Sequence, residues 1–224
     1  LQVLETAFPW AQHAKFGGPN AAREIETCCE LIRNMGRVGI GVACWNWMAV
    51  FNWMRTALTI PTRGGAFVTG YDHALMQNAP LTEVGRVEES TLWTNLEIFM
   101  KAVVPVAEEA GVKLALHPDD PPISPIRGVG RILTSPEAMM NAIDLVPSGA
   151  NGVTFCQGSF ATMKADIPAE IGRFTGKNAI HFVHFRDVDG SPERFQETFH
   201  DAGQTDMWEA MRAYHRHGFT GPMR

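Results

Sequence analysis

The feature that most constrains the fold of this chain is a regular alternation of short apolar runs with longer segments of helical period. The runs are rich in β-branched residues and apolar on nearly every position, as expected of strands buried on both faces. We predict strands at residues 1–7, 38–45, 112–117, 151–156 and 179–185, and helices at 21–35, 90–110, 136–146 and 205–217. Strands separated by helices predict an α/β fold with a parallel sheet covered by helices.

The same alternation is compatible with a closed barrel or with an open doubly wound sheet. No Gly-x-Gly-x-x-Gly turn follows any predicted strand, which argues against a nucleotide-binding open sheet. Polar side chains instead follow the carboxyl ends of several strands, where barrel enzymes carry their chemistry. We therefore favour a (β/α)8 barrel. The strand ends supply Glu5, Asn46, His117 to Pro122, Thr154 to Gly158 and His181 to Asp187.

Charge and cysteine content limit the partners and the compartment. The formal net charge is −5 and Lys and Arg are dispersed, so we expect neither nucleic acid nor a membrane surface as a partner. No apolar run approaches the roughly 20 residues that span a bilayer. Cys28, Cys29, Cys44 and Cys156 form no CxxC pair in a chain of 224 residues, which predicts free thiols and a cytoplasmic location.

One long stretch leaves two interpretations open. Residues 46–80, rich in Trp, Met, Gly and Thr, are long for a strand-to-helix loop and predict either a lid over the substrate or an oligomer contact.

Leu1 already lies in a strand pattern, and Pro222-Met-Arg224 resembles the start of another strand. We interpret the chain as one partial barrel domain, residues 1–224, cut at both ends.

Three consecutive strand ends carry good ligands for a divalent transition metal, namely His117, Cys156 and a histidine of the segment 181–187. A single histidine at a strand end is more often structural, and a single buried cysteine is usually packing. Their coincidence at equivalent positions favours a metal site, because the ends of parallel barrel strands converge.

Several motifs resemble those of bacterial mannonate dehydratases, in the same order and over essentially the whole chain. The HPDDPP and TFCxGS pieces are specific, and a tryptophan-rich stretch supports them. The motifs are His117-Pro-Asp-Asp-Pro-Pro122, Thr154-Phe-Cys-Gln-Gly-Ser159, His184-Phe-Arg186, Cys44-Trp-Asn-Trp-Met48, Phe51-x-Trp-x-Arg55, and Phe195-x-Glu-x-x-His200 with Asp206-Met207.

The resemblance implies a xylose isomerase-like barrel in which this chain holds about strands 3 to 7, with strands 1, 2 and 8 missing. It implies a bound divalent ion, usually Mn²⁺ with Fe²⁺ or Co²⁺ as substitutes. Its protein ligands would be His117, Cys156 and His184. We choose His184 over His181 because it shares a strand face with Arg186, as the family motif requires. A fourth ligand, an Asp on the eighth strand, would follow Arg224.

The implied activity is a hydro-lyase that removes water from D-mannonate to give 2-dehydro-3-deoxy-D-gluconate in hexuronate catabolism. Arg186 would bind the substrate carboxylate, or it is a solvated or structural arginine at a strand end. Asp119 and Asp120 would orient a ligand imidazole or hold hydroxyls, or they serve as turn residues. Asn46 would bind a hydroxyl or cap its loop, and His200 would lie at the pocket rim or on the surface.

Two other functions remain open at this stage. One is a metal-dependent sugar isomerase or epimerase on the same barrel, although a cysteine ligand speaks against it. The other is a catalytically inactive fragment that only binds metal or partner chains. In either case we expect a homo-oligomer, with a dimer as the simplest form.

Overall fold

A computed structural model describes residues 1–5 and 11–224. The helices and strands follow one another along the chain as nine strands and seven α-helices within these residues. The strands are β1 (Val3–Glu5), β2 (Val42–Asn46), β3 (Ala57–Pro61), β4 (Phe67–Asp72), β5 (Lys113–His117), β6 (Asn151–Cys156), β7 (Ile180–His184), β8 (Val188–Ser191) and β9 (Arg194–Glu197). The helices are α1 (Gln12–Phe16), α2 (Ala21–Arg37), α3 (Glu89–Ala110), α4 (Pro136–Asp144), α5 (Gln157–Thr162), α6 (Ile167–Gly176) and α7 (Met207–Arg216).

The predicted parallel sheet is confirmed, in the order β1-β2-β5-β6-β7. All four neighbouring pairs are parallel. The first strand was predicted over residues 1–7, of which 3–5 are strand and 6 and 7 lie outside the described residues. After β7 the chain returns so that Met223 pairs in parallel with Val183, as the strand-like pattern at Pro222 predicted.

The sheet is curled. In a flat sheet, four strand spacings would separate β1 from β7 by about 19 Å. The carboxylate of Glu5 on β1 nevertheless lies 3.6 Å from the imidazole of His184 on β7. The two edge strands therefore face each other across a concave surface, which is the geometry of part of a barrel.

Strand residues alternate between two environments. One side of the sheet packs against the helices in the main core, with Trp45, Leu116 and Phe155 among its members. The concave side holds a small separate cluster that includes Cys44 and Phe182. The helices cover the outer face, so the concave face and the carboxyl ends of the strands are left for chemistry.

The long segment 46–80, which was predicted only as a lid or an oligomer contact, contains regular structure. It contains β3 and β4, which pair with each other in antiparallel fashion. The hairpin β8-β9 then adds to β4, giving a second sheet of order β3-β4-β9-β8. Because the partner hairpin lies more than a hundred residues later, nothing local marks this pairing. We call this four-stranded sheet the cap sheet.

The helices follow the predictions with some shifts. Ser135 accepts from the Ala138 N–H and Pro136 opens α4, as expected of an N-cap followed by proline. Met211 on the last helix is 40% exposed. The inward stripe of α7 is instead made of small side chains and Tyr214, because α7 packs closely on α6. Among the described residues, no helix is long and apolar enough to cross a membrane.

Candidate metal centre

The three ligands chosen from the sequence lie together. His117, Cys156 and His184 end β5, β6 and β7, and one donor atom from each lies within 4.8 Å of the others. Parallel register produces this meeting, because Cys156 pairs directly with His184. All three side chains point to the concave side, so a single cation can be reached by two imidazole nitrogens and one sulfur.

Hydrogen bonding leaves the right nitrogens free. The His117 Nδ1–H donates to the carbonyl of Pro118 at 2.7 Å, which leaves Nε2 as the unprotonated donor. The Nε2 atom of His184 is buried and has no partner within hydrogen-bond distance in the described part of the chain, although a carboxylate oxygen of Glu5 lies 3.6 Å away. Its position beside Cys156 and Glu5 leaves it able to bind a cation. The residues present therefore fit a divalent cation.

The charge at Cys156 suits a ligand role. Burial raises the pKa of its thiol. His117 and Arg186 lower the pKa by more than burial raises it, so the pKa lies well below the ordinary value. Burial likewise lowers the pKa of His184, while its contacts with Cys156, Cys44 and Glu5 raise it to about 11. These contacts favour the anionic form of the sulfur and the cationic form of the imidazole, and a metal cation would take the place of the proton between them.

Beside Cys156 lies a network of two arginines and two carboxylates. Arg55 donates to both oxygens of Asp120, at 2.7 and 2.9 Å, and to Glu197 at 2.7 Å. Arg186 donates to both oxygens of Glu197 at 2.6 Å. The Arg186 Nη1 atom also lies 3.0 Å from Asp120 Oδ2 and donates to the sulfur of Cys156 at 3.4 Å. We call these four residues the ion-pair cluster.

Arg186 is already engaged by this cluster. It was predicted to bind the substrate carboxylate, and it does line the cavity beside the three ligands. All three of its nitrogens, however, already have protein partners. Burial lowers its pKa, but Asp120, Cys156 and Glu197 raise the pKa well above the ordinary value.

Asp119 and Asp120 face different ways. Asp120 lies in the ion-pair cluster, where burial raises its pKa but Arg186 and Arg55 hold the pKa below the usual range. Asp119 instead accepts from the Leu133 N–H at 2.8 Å and pairs with the buried Arg131 at 3.4 Å. Asp119 thus fastens the segment that follows β5, in line with the turn role considered from the sequence.

Asn46 caps its own loop. Its side-chain oxygen accepts from the Met48 N–H at 3.1 Å, and its amide donates to Asn52 at 2.7 Å. Asn46 also lines a cavity of about 200 Å³ together with Glu5, Cys44 and His117, so it borders the site as well as shaping the loop.

His200 and His181, the other two histidines considered from the sequence, lie away from the three candidate ligands. His200 is exposed, and its Nε2–H donates to the carbonyl of Phe185 at 2.6 Å. This is the surface position considered from the sequence, not the pocket rim. His181 is buried among other atoms, and burial lowers its pKa to about 4, so it is a neutral packing residue.

A cavity of about 260 Å³ opens onto the three ligands and is lined also by charged groups. Glu5 lines this cavity, its pKa is lowered chiefly by its contact with His184, and Arg224 pairs with it at 2.9 Å. Arg55, Arg186 and Asp120 line the same cavity. A larger cavity of about 590 Å³ lies on the cap sheet, but its described lining contains no histidine or cysteine.

Sequence reasoning missed Arg55 and Glu197 as site residues, although both stand in motifs quoted above. Arg55 precedes β3 and stacks over the ring of Phe195 at 5.0 Å. Phe195 and Glu197 lie two residues apart on β9, so their side chains point to the same face of the strand. This spacing is the one signal that could have indicated Glu197.

Comparison with known proteins identifies the family. The sequence model described as D-mannonate dehydratase (UxuA) matches residues 1–86 and 81–224. The chain belongs to this family. Mannonate dehydratase 2 of Halalkalibacterium halodurans is 35% identical over 252 aligned residues, covering the whole of this chain and 72% of the relative. The predicted resemblance is confirmed, and with it a hydro-lyase of the mannonate dehydratase type.

Solved structures agree with the family and with the fold. The mannonate dehydratase of Streptococcus suis serotype 2 superposes with a TM-score of 0.90 at 38% identity, covering all of this chain and 66% of that one. An L-ribulose 3-epimerase, at 16% identity and a TM-score of 0.61, shows the fold alone. So does a xylose isomerase-like TIM barrel protein from Mycobacterium smegmatis, at 12% and 0.62.

Proposed function

We propose that this protein dehydrates D-mannonate to 2-dehydro-3-deoxy-D-gluconate with a divalent cation held by His117, Cys156 and His184. The observation that carries the proposal is the meeting of these three donors within 4.8 Å at the ends of β5, β6 and β7. Family membership supplies the reaction type, and the cavity of about 260 Å³ beside the donors has room for a small substrate.

The reaction needs a proton removed next to a carboxylate and a hydroxyl expelled from the next carbon. A bound divalent ion would act as a Lewis acid that stabilises the negative charge developing on the substrate. We propose Mn²⁺ as the ion, with Fe²⁺ or Co²⁺ as substitutes. Two imidazoles and one thiolate suit a borderline transition metal better than Mg²⁺ or Ca²⁺, which prefer oxygen donors.

The residues around the donors would bind and orient the substrate. Glu5 and Arg224 form one wall of the cavity, and both carry charge that a polyhydroxy acid can meet. Asn46 borders the adjoining cavity and would contact a hydroxyl. Asp120 and Arg186 form the wall nearest Cys156, where we propose that they keep the thiolate in place.

We propose further that the curled sheet corresponds to strands 3 to 7 of an eight-stranded barrel, with residues 1–224 as one catalytic domain. The superposition on the Streptococcus suis enzyme and the parallel pairing of Met223 with Val183 support this assignment. In that arrangement an aspartate on the eighth strand would provide a fourth ligand.

The test is an assay of the purified protein with D-mannonate after removal and return of the metal. We expect release of a 2-keto acid that depends on added Mn²⁺. Metal bound at the site without any product would favour a binding protein, and interconversion of ketose or aldose sugars would favour an isomerase or epimerase.

A pair of variants connects the assay to the cysteine. Cys156→Ala should lose both metal and product, whereas Cys156→Asp restores an anionic donor and should retain the metal. If Cys156→Ala binds metal as tightly as the unaltered protein, the assignment of the ligands is wrong.

We also propose a homo-oligomer in the cytoplasm. Leu58 and Phe67, both on the cap sheet, are 66% and 65% exposed, and Trp53, which precedes β3 in the sequence, is 58% exposed. Large apolar side chains exposed on one sheet support a surface that associates. The four cysteines are all free, as expected of a reducing compartment. A monomeric mass by light scattering at micromolar concentration would contradict the oligomer.

A further inference from the structure

The ion-pair cluster joins two parts of the molecule that fold from distant segments. Asp120 and Arg186 follow β5 and β7 of the parallel sheet, whereas Glu197 belongs to β9 of the cap sheet and Arg55 immediately precedes β3. The Arg55 to Glu197 contact spans 142 residues. The cluster therefore couples the position of the cap sheet to the position of the residues that follow β5 and β7.

The geometry of Arg186 determines what the cluster does. Glu197 takes the Nε and Nη2 edge of its guanidinium side-on, with both distances at 2.6 Å. Since a guanidinium is planar and rigid, this pairing fixes the direction of the remaining nitrogen. That nitrogen, Nη1, lies 3.0 Å from Asp120 Oδ2 and donates to Cys156 Sγ at 3.4 Å and to Ser159 Oγ at 3.3 Å.

A glycine makes room for this arrangement. A Cβ atom added at Gly158 would lie 2.9 Å from Arg186 Cγ and 3.1 Å from its Nε. The glycine after Cys156-Gln157 thus permits the arginine stem to pass close to α5. This observation is independent of the ion pairs and indicates that the placement of Arg186 against the sulfur is built into the site.

We propose that the cap sheet, through Glu197 and Arg55, holds Arg186 against the sulfur of Cys156 and so sets how strongly that thiolate donates to the metal. The inference rests on the metal site assigned above. In this scheme Glu197 and Arg55 are positioning residues that act through Arg186 and do not touch the metal.

The physical consequence concerns the kind of metal. A hydrogen bond from a cation to a thiolate withdraws electron density from the sulfur and reduces its bonding to a metal. Soft cations such as Cd²⁺ gain most from thiolate donation, and Mn²⁺ gains least. Arg186 would therefore shift the site away from soft cations and toward Mn²⁺.

The test uses Co²⁺ as a spectroscopic probe, because its sulfur-to-metal charge-transfer band reports on thiolate donation. We expect the band to move to longer wavelength in Arg186→Gln and in Glu197→Gln. Glu193→Gln, on the same hairpin but exposed and bonded to Ser191, should leave the band in place. Glu197→Asp, which keeps the carboxylate, should move the band less than Glu197→Gln.

A double variant distinguishes action through Arg186 from a separate effect. If Glu197 works only through Arg186, the band of Arg186→Gln/Glu197→Gln should coincide with that of Arg186→Gln alone. Shifts that add, or an unmoved band in Glu197→Gln, would overturn the proposal. If Glu197→Gln fails to fold, Gly158→Ala, which displaces the same arginine without changing charge, must reproduce the shift.

Metal preference provides a second measurement. The ratio of Cd²⁺ to Mn²⁺ affinity should rise about tenfold in Glu197→Gln, which is within the range that residues behind a ligand usually exert. An unchanged ratio would contradict the proposal. No charge-transfer band in the unaltered protein would instead refute the metal site itself, so the two failures can be told apart.

Discussion

Replacing Asp120 with asparagine tests the energetics of the ion-pair cluster most directly. The Asp120 side chain is 6% exposed and meets Arg55 at 2.7 Å and Arg186 at 3.0 Å, so solvent screens these contacts little. An asparagine at this position would keep the shape of the side chain and remove its charge. One carboxylate, Glu197, would then face two buried guanidinium groups.

The expected cost follows from that imbalance. Removing one partner of a buried pair typically destabilises by about 3–5 kcal/mol, and the remaining carboxylate places this case near the lower end, at about 3 kcal/mol. For a chain of this size the melting temperature should fall by roughly 6–12 °C. Equilibrium unfolding in urea at pH 7, on metal-free protein, measures the free energy directly.

The pH dependence gives the same reasoning a second check. Although burial raises the pKa of Asp120, the two arginines hold the folded-state pKa below the usual range. Its stabilisation is therefore fully present above the ordinary carboxyl pKa of about 4, and is lost as the pH falls through the lower folded pKa. The difference in the free energy of unfolding between Asp120→Asn and the unaltered protein should have its full size at pH 7. It should become smaller only in strong acid.

The matched control is Asp201→Asn, which breaks an exposed pair with Arg63. We expect no measurable loss there, since exposed pairs contribute little. A loss below about 1 kcal/mol for Asp120→Asn, or one equal to that of the control, would refute the claim that the cluster stabilises the fold.

Three further predictions concern single side chains. Cys156→Ala should weaken Mn²⁺ binding at least about 100-fold in equilibrium dialysis, because an anionic ligand is lost. Trp47→Phe removes the hydrogen bond from Nε1 to the Leu92 carbonyl and should cost about 1 kcal/mol in urea unfolding. His200→Ala should change stability by less than about 0.5 kcal/mol and leave turnover unchanged, because the side chain is exposed; a large loss of kcat would return it to the site.

The parallel sheet could be predicted because its signals are local. Each strand is marked by a short apolar run, and a buried parallel strand looks the same whatever its partner. The meeting of the three candidate donors could be predicted for a related reason. Strand ends converge in a parallel barrel, so His117, Cys156 and His184 needed only the right place on their own strands.

The cap sheet could not be predicted, because its strands are defined by a partner far away. Residues 57–72 show no regular alternation of buried and exposed residues that would favour β structure over a loop, and Leu58 and Phe67 remain exposed. Pairing with Phe195 and its neighbours stabilises them.

The ion-pair cluster illustrates the limit for the site. A buried arginine and a surface arginine look alike in sequence, and Arg55 gains its role only when β9 brings Glu197 to it. Arg186 could be located correctly but not assigned a partner. Its nitrogens were expected to be available for a substrate, whereas the fold engages them with Glu197 and Cys156.

The 142-residue separation between Arg55 and Glu197 also bears on how the protein is made. At about 5–20 residues per second, a ribosome needs roughly 7–30 s to deliver the carboxylate after the arginine. During that interval the guanidinium of Arg55, which the finished molecule buries, must stay hydrated. Cys156 is also synthesised before the hairpin β8-β9, whose Glu197 will hold Arg186 beside it. Assembly of the centre therefore waits until the hairpin β8-β9 has been synthesised, and ions that arrive earlier meet an unshielded thiol.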